Sequence, residues 1–187
     1  VGDVSGKGVP AALFMAITKV LFDASVEVEE TPAAVLGRVN RELCRQNEHA
    51  LFVSAFVGRL DLATGELAYA NAGHNLPYRL GAGGAVVAVS ARPGLVMGLH
   101  DAFDYGNERL SLEPGDGLFL YTDGVTEAID ASRELFGEAR LESWLAAAAG
   151  SDARTVVDGV VRAVDSFVGE TPQFDDITAL SVRYRPG

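Results

Sequence analysis

The sequence predicts an α+β fold in which antiparallel sheet is covered by helices. Three observations carry this. Apolar residues recur at helical spacing near both ends of the chain, they alternate or run continuously through the middle, and short Gly- and Pro-containing turns separate the middle runs. Helices, then hairpins, then helices and a last strand is the order of segregated elements rather than of a parallel βαβ alternation.

Residues 1–4 read as the end of a strand. Pro10 then opens an apolar stretch from Ala11 to Phe22, broken only by Thr18 and Lys19. A helix apolar nearly all round is expected to be buried on more than one side, and Pro suits its first position. Thr31 and Pro32 start a second helix as cap and first residue, over 32–47. Its stripe is Val35, Leu36, Val39 and Leu43, with Arg38, Arg41, Glu42 and Arg45 outside. The two helices form an N-terminal pair.

Phe52–Leu60 and Leu67–Ala70 flank the turn 63–66 as a first hairpin. Leu76–Leu80 and Ala85–Val89 flank the glycine-rich 81–84 as a second. Residues 107–112 and 117–122 flank Glu113-Pro114-Gly115-Asp116, a third turn. Leu118–Tyr121 is continuously apolar, as in a strand covered on both faces. Leu141, Trp144, Leu145 and Ala148 make one helical stripe, ended by Gly150. Val156/Val157, Val160/Val161, Val164 and Phe167/Val168 make a stronger one, and Ile177–Tyr184 closes the chain as a strand.

The 187 residues suit a single domain, 1–187, and 48% hydrophobic residues are enough for a core. A net charge of −11 argues against nucleic-acid binding through a basic face. No apolar run approaches the ~20 residues of a membrane span, and no signal-peptide pattern is present. The lone Cys44 forbids an internal disulfide and fits a reducing compartment, so the expected location is cytoplasmic. The chain opens at Val1 without Met, so an N-terminally truncated domain is expected.

Three segments place acidic residues beside glycines or turns at the ends of apolar strands. They are Val1-Gly2-Asp3-Val4-Ser5-Gly6-Lys7-Gly8, Tyr121-Thr122-Asp123-Gly124-Val125-Thr126-Glu127 and Phe174-Asp175-Asp176-Ile177-Thr178. Carboxylates converging on one point repel unless a cation sits between them, and oxygen-only ligands suit Mg²⁺ or Mn²⁺ rather than zinc. Taken singly, each Asp reads first as an ordinary turn or cap residue. The first segment lacks the spacing of a phosphate loop, and Gly8 follows Lys7 where Ser or Thr is required. His49, His74 and His100 have no ligand spacing, and Ser5 has no triad partner nearby. His74, in Asn71-Ala72-Gly73-His74-Asn75, reads first as the residue that orders a bend. Cys44 reads as a semi-buried structural thiol.

These three segments, with Asn71-Ala72-Gly73-His74-Asn75 between the first two, resemble in order the bacterial PPM-type (PP2C-like) serine/threonine phosphatases of the stage II sporulation E and sigma-factor-regulator kind. The resemblance spans residues 1 to about 184. It implies an α/β/β/α sandwich of two antiparallel sheets with helices outside, and metal-dependent removal of phosphate from phosphoserine or phosphothreonine in a protein. The implied substrate is a phosphorylated anti-sigma-factor antagonist in a partner-switching pathway. The implied mechanism is in-line attack of a metal-activated water on phosphorus. Asp3 would bridge two Mn²⁺ or Mg²⁺ ions, with the Val4 carbonyl joining one of them. Asp123 and Asp175 would complete the site, Asp176 would ligate or orient a water, and Gly124 would keep the turn open. An upstream sensor domain and control through homodimerisation are also implied.

The chain departs from the family pattern in two ways. It begins after an acidic Gly-Gly-Asp-like motif that the family carries on earlier strands, and Ser5 stands where eukaryotic relatives place a His. The proton donor is thus open between a metal-bound water and His74. Two other functions compete: a catalytically weak module that binds a phosphoprotein, and a phosphodiesterase or nuclease. Retention of Asp3, Asp123 and Asp175 favours the enzyme over the first. The missing basic surface disfavours the second.

Overall fold

The chain runs through β1 (Gly2–Val4), α1 (Val9–Val26), α2 (Pro32–Arg45), β2 (Val53–Leu60), β3 (Glu66–Ala72), β4 (Tyr78–Leu80), β5 (Val86–Ala88), β6 (Glu108–Ser111), β7 (Gly117–Tyr121), α3 (Gly137–Ala148), α4 (Ala153–Val168) and β8 (Ala179–Arg183). The structure is a computed structural model describing residues 1–45, 47–173 and 175–186. Gln46, inside the expected second helix, and Phe174, of the last acidic segment, lie outside the described residues. Two units are distinguished. The first comprises Val1–Asp61, Glu66–His74 and Ser90–Ser111, and the second Leu62–Gly65, Asn75–Val89 and Leu112–Gly187.

In the first unit the sheet order is β1-β2-β3-β6, antiparallel throughout. The expected cap holds: Thr31 Oγ1 accepts the Ala34 N–H at 3.3 Å, and Pro32 opens α2. The α2 stripe of Val35, Leu36, Val39 and Leu43 is buried with Phe14 of α1 and with Val53, Ala55, Ala70 and Ala72 of the sheet. Asn40, fully buried, donates to the His100 carbonyl and accepts the Gly98 N–H, which ties α2 to the segment after β5.

The helix α1 corrects an expectation. It buries only Ala11, Phe14, Thr18 and Ser25, one face at helical spacing, while Leu13, Ile17 and Val20 are 53–65% exposed. Apolar composition on every side does not say how many sides a neighbour covers. This helix, 18 residues at mean hydropathy 1.6, is also long and apolar enough to cross a membrane by length and composition. Thr18 and Lys19 interrupt its apolar run, which is why the sequence pattern alone does not reveal a stretch of that length.

In the second unit the order is β5-β4-β7-β8, again antiparallel. All five residues of β7 are buried, as its continuous apolar run predicts. Val156, Val160 and Val164 of α4 pack with Leu141 and Leu145 of α3 and with Phe119 and Tyr121 of β7. Asp152 caps α4, accepting the Thr155 N–H at 2.9 Å. A Cβ at Gly159 would run into the Trp144 indole, so the α3–α4 crossing depends on that missing side chain.

The third turn is found where expected, but its flanking strands do not pair with each other. β6 joins β3 in the first sheet, whereas β7 joins β4 and β8 in the second. Asp116 fixes this turn, accepting from the Arg79 guanidinium at 2.5 and 2.8 Å, from the Glu113 N–H and from the Ala82 N–H. The observed fold is thus α+β, as the sequence predicts, with two antiparallel four-stranded sheets and four helices among the described residues.

Candidate metal centre

Asp3 sits in the middle of β1, directly opposite Ser54 of β2. The backbone bonds flanking this pair are Val1 with Phe56 and Ser5 N–H with the Phe52 carbonyl. Residues 1, 3 and 5 therefore face β2 with their backbone groups. Those of Val4 point away from β2. The Ser5 hydroxyl accepts the Phe52 N–H at 2.8 Å and closes the strand end, which gives it a structural duty.

Asp123 follows β7 in the second unit, and Asp175 and Asp176 precede β8. The structure brings these two loops together. Thr122 N–H donates to the Thr178 carbonyl at 3.1 Å, Thr122 Oγ1 donates to the Asp176 carbonyl at 3.2 Å, and Thr178 N–H donates to Thr122 Oγ1 at 3.0 Å. Gly124 lies so near that a Cβ there would collide with the Asp176 carbonyl oxygen. The Asp123 carbonyl accepts the Glu127 N–H at 2.7 Å, turning the chain tightly after the carboxylate. Asp175 is half-buried, and its Oδ1 accepts the Asp176 N–H at 3.0 Å, while the Asp176 side chain is exposed. A cavity of about 220 Å³ opens beside Asp175, walled by Gly124, Ile129, Val164 and Ile177.

One atom departs from ordinary packing. Asp123 Oδ1 is buried and has no hydrogen-bond partner among the described residues. A buried carboxylate oxygen without a donor is costly, and a cation beside it removes that cost. The ligand atoms that the two acidic loops offer are carboxylate and carbonyl oxygens, which suit Mg²⁺ or Mn²⁺. Among the described residues no three acidic, His or Cys side chains are grouped closely enough to hold an ion. Mg²⁺ typically takes one or two carboxylates and keeps several waters, so the residues present fit such an ion.

The model of the family described as stage II sporulation protein E (SpoIIE) matches residues 1–185. The chain belongs to the SpoIIE family. The SpoIIE domain is 29% identical over 211 residues to protein IcfG of Synechocystis, covering 97% of this chain and 33% of that protein. It is 32% identical over 127 residues to the phosphoserine phosphatase RsbU of Bacillus subtilis, covering 68% of this chain and 38% of RsbU. The chain thus spans about a third of the length of these curated relatives. Among solved structures it resembles the SiaA-PP2C domain of Pseudomonas aeruginosa, at 28% identity and a TM-score of 0.86, covering 98% of this chain and 74% of that one. The PP2C-like fold expected from the four segments is therefore observed.

Two residues of this SpoIIE domain escaped the sequence reading. Thr122 has no role in the sequence pattern, yet its hydroxyl joins the two acidic loops. Ser54 lies in an apolar run, where its signal is a lone hydroxyl between Val53 and Ala55, both buried. His74, read as ordering a bend, does so: Asn71 Oδ1 accepts its N–H and Asn71 Nδ2 donates to its carbonyl, both at 2.9 Å.

Proposed function

We propose that residues 1–187 form one metal-dependent protein phosphatase domain that removes phosphate from phosphoserine or phosphothreonine. The observation that carries this reading is the buried Asp123 oxygen, which has no donor among the described residues, in a chain of the SpoIIE family. Asp3, Asp123 and Asp175 would hold two Mn²⁺ or Mg²⁺ ions, the Val4 carbonyl would join one of them, and Asp176 would ligate or orient a water. Bound there, such ions supply charge neutralisation for the phosphoryl oxygens and an activated water for in-line displacement. Thr122 keeps the two acidic loops in register, and Gly124 gives the Asp175–Asp176 backbone room to approach.

A covalent cysteine route has no support. Burial, with the Asp101 carboxylate, pushes the Cys44 thiol up, away from the thiolate a nucleophile needs. Its Sγ also lies 3.6 Å from Asn40 Oδ1, on α2.

The substrate we infer is a phosphorylated anti-sigma-factor antagonist, met in the cytoplasm. Control would come from an upstream sensor domain and homodimerisation, and no nucleic-acid partner is needed. The test is phosphate release from a phosphoserine protein with Mn²⁺ and with EDTA. Release with Mn²⁺ alone supports the reading, and equal release in both contradicts it.

A further inference from the structure

The motif Asn71-Ala72-Gly73-His74 is built with more constraint than a bend requires. Gly73 has φ +65°, and a Cβ there would lie 2.8 Å from Val96 Cγ1. The Asn71 amide brackets both backbone groups of His74. Only 5% exposed, His74 sets its ring Nδ1 2.8 Å from Ser54 Oγ. Ser54 is in turn the residue directly opposite Asp3. Directly opposed residues of an antiparallel pair place their side chains on one face of the sheet, with Cβ atoms about 4.5–5.5 Å apart. A backbone clamp, a buried imidazole, a hydroxyl and a carboxylate thus follow one another within the first unit.

We propose that Ser54 and His74 are a positioning pair that sets the Asp3 carboxylate for divalent-cation binding. This rests on the reading of Asp3 as a metal ligand. A hydroxyl carries one proton and two lone pairs, and left alone it rotates. The imidazole nitrogen occupies one side of the Ser54 oxygen and fixes that rotor. With its rotor fixed, the hydroxyl presents a constant polar group to the face that carries Asp3, and the carboxylate keeps one orientation instead of several. Partners that orient a metal ligand in this way typically change metal affinity 10–100-fold when removed. Neither residue needs to touch the substrate.

The test compares variants of equal shape. Ser54→Val and Ser54→Thr have matching β-branched side chains and differ in the hydroxyl. His74→Leu and His74→Asn differ in whether a polar atom remains near the Nδ1 position, and they leave the strand itself unchanged. Mn²⁺ affinity is read by titration calorimetry, and kcat and KM with p-nitrophenyl phosphate at saturating Mn²⁺. Ser54→Val and His74→Leu are expected to weaken Mn²⁺ binding about tenfold or more, while Ser54→Thr and His74→Asn stay within about threefold of wild type. The Ser54→Val/His74→Leu double variant should lose no more than either single, since the pair acts as a unit. KM for the small ester should stay unchanged. Equal Mn²⁺ affinity in Ser54→Val and Ser54→Thr, or in His74→Leu and His74→Asn, overturns the proposal, as does a wild-type chain that takes up no Mn²⁺. A wild-type chain that binds Mn²⁺ with the expected variant pattern but hydrolyses nothing supports the pair and overturns the phosphatase reading instead.

Discussion

Thr122 and Asp176 are joined by a side-chain bond: Thr122 Oγ1 donates to the Asp176 carbonyl at 3.2 Å while accepting the Thr178 N–H at 3.0 Å. One buried hydroxyl therefore satisfies a donor and an acceptor of the segment that carries Asp175. The spacing of the two acidic loops depends on it.

Replacing that hydroxyl strands both backbone groups. Thr122→Val, nearly isosteric, is expected to cost about 1–3 kcal/mol in urea unfolding, and Thr122→Ser should recover most of it. Thr122→Val should also weaken Mn²⁺ binding, read by calorimetry.

Asp123 carries the opposite sign. Its Oδ1 is buried without a donor among the described residues, so in metal-free protein Asp123→Asn should be at least as stable as wild type. In wild type, Mn²⁺ should raise Tm by mass action. In Asp123→Asn that rise should vanish. Asp175→Asn should lose the rise without the gain, because Asp175 Oδ1 already accepts the Asp176 N–H. Thermal melts with EDTA and with millimolar Mn²⁺ check both.

Gly124→Ala forces a Cβ onto the Asp176 carbonyl. The loop must shift, at a cost of about 1–3 kcal/mol. Mn²⁺ affinity should fall with it, whereas Gly83→Ala, at an exposed turn with open space around it, should leave both measurements unchanged.

Much of this was legible beforehand where period and burial coincide. The α2 stripe, the β7 run and the α4 stripe each have one buried pattern and one solution. α1 departs from expectation because hydrophobicity records what a helix can bury, not which neighbour is there. The turn at Glu113–Asp116 was legible, but the separation of its strands into two sheets was not. Arg79, which fastens that turn, lies more than thirty residues earlier. Asp3, Asp123, Asp175 and Asp176 were singled out by glycine-flanked strand ends. The Ser54–His74 bond spans two elements and left no spacing to read.

The Arg79–Asp116 pair gives a pH dependence with a definite sign. Burial pushes the Asp116 carboxyl up, but the Glu113 amide, the Arg79 guanidinium and the Ala82 amide outweigh it and hold the group below its usual range. A depressed native pKa contributes stability above the unfolded value of about 3.9, and that contribution is lost as pH falls through the native value. Arg79→Met leaves a buried carboxylate without its cation and should cost about 3 kcal/mol near neutral pH. It should also flatten the loss of stability below about pH 4, measured by urea unfolding across pH.

The most direct test of the central claim is phosphate release from a phosphoserine protein by wild type and Asp123→Asn, each with Mn²⁺ and with EDTA. The geometry predicts release by wild type with Mn²⁺ and a loss of at least about a hundredfold on removing either the ion or the Asp123 charge. Release by Asp123→Asn at the wild-type rate, or by wild type at the same rate in EDTA, would contradict it.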